Sequence, residues 1–515
     1  AQTIKSAKML HELSESAMGK NRKKLLEEAV KAYKDALGSY TLDSSPEEYA
    51  HAQSNLGNAL HGQATTLAGE ERNQKLEQAV TAQKEALKIY TAASAPDDYA
   101  RTQNNLGRTF RFQANILAGE DKKKKLEDAL IALKEALRIL TLTRTPIDYA
   151  SAQCNLGVVL ENQAMLLAGE EKRQKLDEAV MSYRESLSVR TFDATPEDYA
   201  TTQTRLGSAL KSQAALLSGK DRLQKLEEAI TAHKEALRIY TYDSFPYEYA
   251  GTQNNLGNAL WSQTASLAGE EKRQKLNEAV AAYQQALRVD TFETSPSHYA
   301  IRHNNLATAM KDQAVYFTGE DKLRIFNEAI LAYAKALQVF TLESSPSHYA
   351  SIQHNIGTML WQHAMCLTGE AKVKKLAEAI TAFRDALRVL DLRSFPEYYA
   401  RSKQNLGNAL RDLAGLMTGA EKQKKLDYAV ASYTEALRVF TFESAPHEYA
   451  DTQSDLAAAL ARQAESLSGN EKKGRLIRAA SAYNAAMKIY TKTDYPDRYI
   501  ELNKKAEELS SFLQQ

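Results

Sequence analysis

The chain has 515 residues, of which 43% are apolar and 25% charged, with a net charge of +1. That balance excludes a general electrostatic pull toward nucleic acid or anionic lipid, and no apolar run approaches the ~20 residues that span a bilayer. Two cysteines far apart, Cys154 and Cys366, make no disulfide framework.

From the N-terminus, residues 1–18 form a first helix that keeps Ile4, Ala7 and Leu10 on one stripe. The end Ala1-Gln2 is one that methionine removal or cleavage of an export signal would leave, so cytoplasmic and exported locations both stay open. Gly19 then begins a series of glycines at 69, 119, 169, 219, 269, 319, 369, 419 and 469. All ten prolines follow the same spacing, from Pro46 through Pro96 to Pro496, each with a tyrosine three residues later. A period of fifty without insertion or deletion marks a repeat array, which grows in one dimension and need not divide into separate cores.

Ser45-Pro46-Glu47-Glu48 predicts a capping box, with serine at the N-cap and glutamate at the third helical position. Residues 96–145 serve as the template repeat. Pro96 starts helix A, Asp97 and Asp98 face the positive end of its dipole, and Tyr99, Gln103, Leu106, Gly107, Phe110, Ala114 and Leu117 form its apolar stripe. Gly119 is expected to end helix A as a left-handed cap. Helix B is expected from about Asp121, burying Leu126, Ala129, Leu130, Leu133, Ala136, Leu137 and Leu140. Lysine runs at its start, such as DKKKK at 121–125 and KNRKK at 20–24, are offset by Glu127, Asp128 and their equivalents and form a solvated face. The glutamines at 53, 103, 153, 203, 253, 353 and 453 are expected to bridge neighbouring repeats.

Opposite the stripe, asparagine recurs as Asn55, Asn105, Asn155, Asn255, Asn305, Asn355 and Asn405, interrupted by Arg205 and Asp455. A carboxamide carries one donor group and one acceptor, as a peptide backbone does, so such a row suits an extended peptide or amide bridges between helices. Arg101, Arg108 and Arg111 make a basic cluster. The position of Arg111 varies along the chain as His61, Arg111, Glu161, Lys211, Trp261, Lys311, Trp361, Arg411 and Ala461, and both tryptophans of the protein fall there. A tryptophan on a polar face suits a ligand anchor, so Trp261→Ala with Trp361→Ala is expected to weaken binding while helical content holds. His363 and Cys366 have metal-compatible spacing but no second pair, with Cys366 expected near the buried end of helix A, and no phosphate loop, nucleophile elbow or H-E-x-x-H motif occurs. We expect neither catalysis, metal nor cofactor. The chain closes on a lone helix, 501–515, with Leu502, Ala506 and Leu509 in its stripe.

NNLGNAL at 254–260 followed by AVAAYQQALRV at 279–289 resembles a tetratricopeptide repeat: Leu256, Gly257, Ala279, Tyr283, Ala286 and Pro296 match its pattern. The usual unit is about 34 residues, so this long variety extends both helices and the linker; it resembles bacterial arrays, some of them linked to caspase-like CHAT domains. The resemblance implies an all-α, right-handed α-solenoid of about ten helix-turn-helix repeats, in register 1–50, 51–100 and onward to 451–500, plus the terminal helix. It also implies that the asparagine face lines a concave groove. The expected function is a non-catalytic scaffold binding a protein or peptide partner through Asn55, Asn105, Asn155, Asn255, Asn305, Asn355, Asn405, Arg101, Arg108, Arg111, Lys211, Trp261, Lys311, Trp361 and Arg411. A head-to-tail filament, built by end-to-end stacking of copies, and the sensor arm of a larger effector are the alternatives. Neither nucleic acid nor membrane is expected as a partner.

Overall fold

Every fiftieth residue from Pro46 to Pro496 opens a helix, and so does every fiftieth from Gly19 to Gly469. The computed structural model describes residues 2–17 and 19–514, with no strand among them. The chain divides into two compact units, 1–266 and 267–515. The first holds α1 (Gln2–Ser16), α2 (Gly19–Leu37), α3 (Pro46–Thr65), α4 (Gly69–Ala86), α5 (Pro96–Ala114), α6 (Gly119–Leu137), α7 (Pro146–Ala164), α8 (Gly169–Leu187), α9 (Pro196–Ala214), α10 (Gly219–Ala236) and α11 (Pro246–Gln263). The second holds α12 (Gly269–Ala286), α13 (Pro296–Gln313), α14 (Gly319–Leu337), α15 (Pro346–Met365), α16 (Gly369–Ala386), α17 (Pro396–Ala414), α18 (Gly419–Ala436), α19 (Pro446–Ala464), α20 (Gly469–Met487) and α21 (Pro496–Gln514).

Within each unit, each helix packs on the one before and after it, and each proline-initiated helix A also touches the next helix A, as α5 touches α7 and α13 touches α15. The pairing of A with B rests on a missing side chain. A Cβ on Gly107 would lie 2.7 Å from Leu133 Cγ and 3.1 Å from the Ala129 carbonyl oxygen, and Gly157 and Gly407 meet Tyr183 and Tyr433 in the same way. The helix-B residue at this contact is buried whether it is Leu133, Tyr183, His233, Phe383 or Tyr433.

In several repeats the tyrosine after the proline ties the start of helix A to the end of its own helix B. Tyr149 donates to Glu185 at 2.9 Å, Tyr199 to Glu235 at 3.0 Å and Tyr399 to Glu435 at 3.1 Å. A different residue links successive repeats: Gln213 donates to Asp177 at 2.6 Å and Gln463 to Asp427 at 2.6 Å, from helix A to the preceding helix B. The glutamines expected to bridge repeats lie ten positions earlier. Gln153 instead donates to Tyr149, one turn back on its own helix, at 3.0 Å.

Four local expectations are corrected. Ser45 makes no side-chain cap bond. The turn is closed instead from Thr41, whose carbonyl accepts the Ser45 N–H at 3.0 Å and whose hydroxyl accepts the Ser44 N–H at 3.1 Å. The acids of the first turn, Glu47 and Glu48, still face the helix dipole. Second, Gly119 does not cap α5, which ends at Ala114 and turns through right-handed Asn115. Gly119 is itself the first residue of α6, with φ of +57°, so helix B begins two residues before Asp121. Gly119→Ala places a Cβ in open space but in a backbone region that disfavours it, so thermal unfolding is expected to show a loss of about 1–2 kcal/mol. Third, the last helix begins at Pro496, five residues before 501. Fourth, Cys366 is exposed rather than directed to the buried end of its helix.

The stripes of the terminal helices are used within the chain. Ile4 and Ala7 are buried against Val30 and Tyr33, and Leu502 and Ala506 against Tyr483 and Tyr490. Lys175–Glu178, Lys225–Glu228 and Lys275–Glu278 ion pairs, at 3.1–3.2 Å, offset the lysines at the start of helix B.

Candidate functional site

Because helices A touch one another within each unit, the residues opposite their apolar stripes form one face per unit. All seven asparagines of the row are half-buried there. Several of their carboxamides hold their own surroundings. Asn55 donates to the His51 carbonyl at 3.0 Å, Asn155 to Asn104 Oδ1 at 2.9 Å and Asn405 to the Thr358 hydroxyl at 3.4 Å. Asn355 accepts from Lys311 Nζ at 3.5 Å, and Asn255 accepts from Asn254 at 3.5 Å.

Two spacings organise this face. The residue at the Arg111 position reaches the residue 44 further on, as Lys311 reaches Asn355 and Arg411 reaches Asp455 at 2.5 Å. The residue at the Arg108 position meets the helix-B residue 25 further on: Gln83 donates to Asn58 at 3.4 Å, Tyr433 donates to Asn408 at 2.7 Å, and Thr308 and Tyr333 share a bond of 3.1 Å. In the second unit these rules leave the cations paired, because Arg411 also meets Asp412 at 3.3 Å. Trp361 donates from Nε1 to Asp412 Oδ2 at 2.9 Å and is half-buried.

In the first unit the same rules fail at the arginines. Arg108 has Leu133 where several other repeats have a polar partner, and its Nε is buried without a hydrogen bond. Arg111 lies over the Phe112 ring at 4.4 Å, and its Nε is likewise buried and unbonded. Burial, then the charges of Arg205 and Arg108, push Arg111 down to about 10, so it stays cationic at neutral pH. Glu161, 44 residues before Arg205, accepts a short hydrogen bond from the Tyr183 hydroxyl. Burial raises the Glu161 carboxyl to about 7, against the opposing pull of that bond and of Arg205. Arg205 Nε is buried and unbonded too. Burial also lowers Lys211. Beside these groups lies a cavity of about 390 Å³ lined by Glu161, Arg205, Ser208, Tyr240, Glu248 and Asn255 among others.

The sequence placed Arg101 in one cluster with Arg108 and Arg111, and the structure separates them. Arg101 is exposed and donates to Asp148 at 2.8 Å, with Asp98 at 3.9 Å, so acids of its own edge take up its charge. Trp261 is 38% exposed and His61 is buried, its ring edge-on to Phe112 at 4.6 Å. Arg205 was legible only as a break in the asparagine row, and its tie to Glu161 needed the 44-residue spacing. His363 is buried and stacked on Phe326, and no group of three or more metal-ligating side chains occurs among the described residues. No described helix is long and apolar enough to cross a membrane.

Repeated helix pairs without strands among the described residues define an all-α repeat fold. No protein-family model matches the sequence, and no curated protein matches it. Among solved structures, the chain is similar to the C-terminal part of a tetratricopeptide-repeat protein from Cytophaga hutchinsonii, at 12% identity and a TM-score of 0.36, covering 67% of this chain and 96% of that one. It is similar to the human IFIT1 dimer with m7Gppp-AAAA, at 13% identity and a TM-score of 0.42, covering 99% and 90%. It is also similar to a signal-transduction ATPase with a tetratricopeptide-repeat sensor from Pyrococcus horikoshii, at 10% identity and a TM-score of 0.33, covering 95% and 72%. The structural neighbours are tetratricopeptide-repeat proteins.

Proposed function

We propose that the chain is a non-catalytic protein-interaction scaffold that takes an extended peptide along its helix-A face. One observation carries this reading. Packing positions repeat in every fifty residues, whereas the Arg111 position runs through histidine, arginine, glutamate, lysine, tryptophan and alanine on a half-buried polar face. Wide variation in size and charge at one position of a polar face, between recurrent structural corners, suits selection by a ligand, with half-buried carboxamides available to a peptide main chain. The apolar stripes on which a filament would draw are already buried within the chain at Ile4, Ala7, Leu502 and Ala506, which favours the peptide reading.

The test is a random-dodecamer peptide array followed by affinity measurement on the strongest sequences. Trp261→Ala is expected to raise Kd tenfold or more, as for an interface anchor, with unchanged helical circular dichroism. Trp361→Ala also removes the bond to Asp412 and is expected to lower the unfolding midpoint. Absence of any array peptide bound on the helix-A face would overturn the proposal.

A further inference from the structure

We infer that the helix-A face of α5, α7 and α9 is an oxyanion subsite, built by Arg108, Arg111 and Arg205 for a partner segment carrying clustered carboxylate or phosphoryl groups. This inference rests on the peptide-groove reading and adds the chemistry of the peptide.

The geometry is specific to these repeats. In several other repeats the residue at the Arg108 position has a polar helix-B partner, as Asn408 has Tyr433. Arg108 has Leu133 there, and a leucine accepts nothing. In the second unit a cation at the Arg111 position meets an acceptor 44 residues on, as Arg411 meets Asp455. For Arg111 that residue is Asn155, a neutral amide that donates to Asn104 and offers no counter-charge. For Arg205 the residue 44 before is Glu161, which accepts from Tyr183 and feels Arg205 without pairing directly with it. Three guanidinium groups thus stand on one face with Nε atoms enclosed and unbonded. Glu15 and Glu161 act on Arg108 and Arg205 from a distance, but none of the three guanidinium groups makes a direct ion pair, and a half-buried cation held that way is costly.

Guanidinium groups bind carboxylate and phosphoryl oxygens through paired N–H donors, so an incoming oxyanion supplies the missing acceptors. The neighbouring hydroxyls do not compete as donors: Ser208 donates to the Thr204 carbonyl and Thr204 to the Ala200 carbonyl, each at 3.0 Å. A protein segment fits better than a nucleic acid. The arginines form one focus rather than a track, which suits a short anionic segment rather than a continuous phosphate backbone.

The experiment is fluorescence anisotropy of the full chain with labelled hexaglutamate and with a heptapeptide containing one phosphoserine, in low salt. Binding of at least one is expected, with the tighter of the two identifying carboxylate or phosphoryl chemistry. Arg111→Gln with Arg205→Gln is expected to weaken it tenfold or more. The charge-matched control, Arg138→Gln with Arg238→Gln on exposed helix-B ends, is expected to change it less than twofold. In a second measurement, Arg111→Met is expected to raise the unfolding midpoint of the ligand-free chain while removing binding; a structural arginine would lower it. Equal losses in both double variants, or no binding of either anionic peptide, would overturn the inference. If array peptides without acids still bind, the groove reading stands and this subsite falls; if no peptide of any charge binds, both fall. A single-stranded RNA bound more tightly than both peptides at the same salt overturns the assignment to a protein segment.

Discussion

Asp290→Asn is expected to lower the stability of the second unit by about 3–5 kcal/mol, the usual consequence of stranding one member of a buried ion pair. Asp290 is 2% exposed and Arg302 5%, and their side chains pair directly at the junction of α12 and α13. Burial pulls Arg302 down to about 10, leaving it charged at neutral pH, so removing the carboxylate leaves an enclosed cation whose remaining bond is to the Ala286 carbonyl at 3.4 Å. The repeats themselves supply the control. Where this unit has Asp290 and Arg302, the repeat fifty residues earlier has Tyr240 and Thr252, both buried. Restoring that pair, Asp290→Tyr with Arg302→Thr, is expected to leave stability unchanged or raise it, because a packed apolar contact replaces two desolvated charges. Urea unfolding of the two single variants and the double variant completes the cycle. A double variant as unstable as Asp290→Asn would show that the ion pair is required for this junction.

The second large effect concerns acid. His233, His303 and His354 are each pushed down to about 4, and His61 well below its ordinary value, in every case first by burial. The sign follows from linkage. Each histidine is neutral when folded and takes a proton near pH 6.5 when unfolded, so its stabilising share is complete above pH 6.5. It is lost as pH falls toward 4. The loss is on the order of 3 kcal/mol for a residue such as His233. Glu161, raised to about 7, acts in the opposite sense between pH 7 and 4.5, one carboxyl against His11, His61 and His233 of its unit, all lowered by burial. Thermal unfolding at pH 7.5 and 4.5 should therefore show a marked fall. His233 has both ring nitrogens buried and unbonded beside Gly207, in the place that Phe383 fills beside Gly357. His233→Phe is expected to raise stability by about 1–3 kcal/mol at neutral pH, since two unsatisfied polar atoms disappear, and to flatten the acid response. A lower midpoint at pH 7.5 would show that a buried bond to the imidazole has been lost.

The helical pairs were legible because proline, tyrosine and glycine mark the same corners in each repeat. Ser45 shows the limit at the level of a single bond: its sequence suits a capping box, but Thr41 and Ser44 satisfy the turn between themselves. Gly119 shows another limit, since a positive φ is readable from glycine while its side of the turn is not. The division at 266–267 leaves no trace in the period, which runs through it unchanged. At the candidate site the positions were legible, but their pairing was not. Arg101 and Arg108 look alike in sequence, yet Asp148 reaches one and Leu133 faces the other. Such distinctions depend on partners 25 to 47 residues away, which a local pattern does not encode.

Hydroxyl-radical footprinting of the chain, with and without its strongest array peptide, tests the proposed docking face most directly. Exposed Trp261 reports on the helix-A face, and exposed Met181 and Tyr428 report on helices B. Protection of Trp261 with Met181 and Tyr428 unchanged is the expected result. Protection of Met181 or Tyr428 with Trp261 still reactive would contradict it and place the partner on the opposite face.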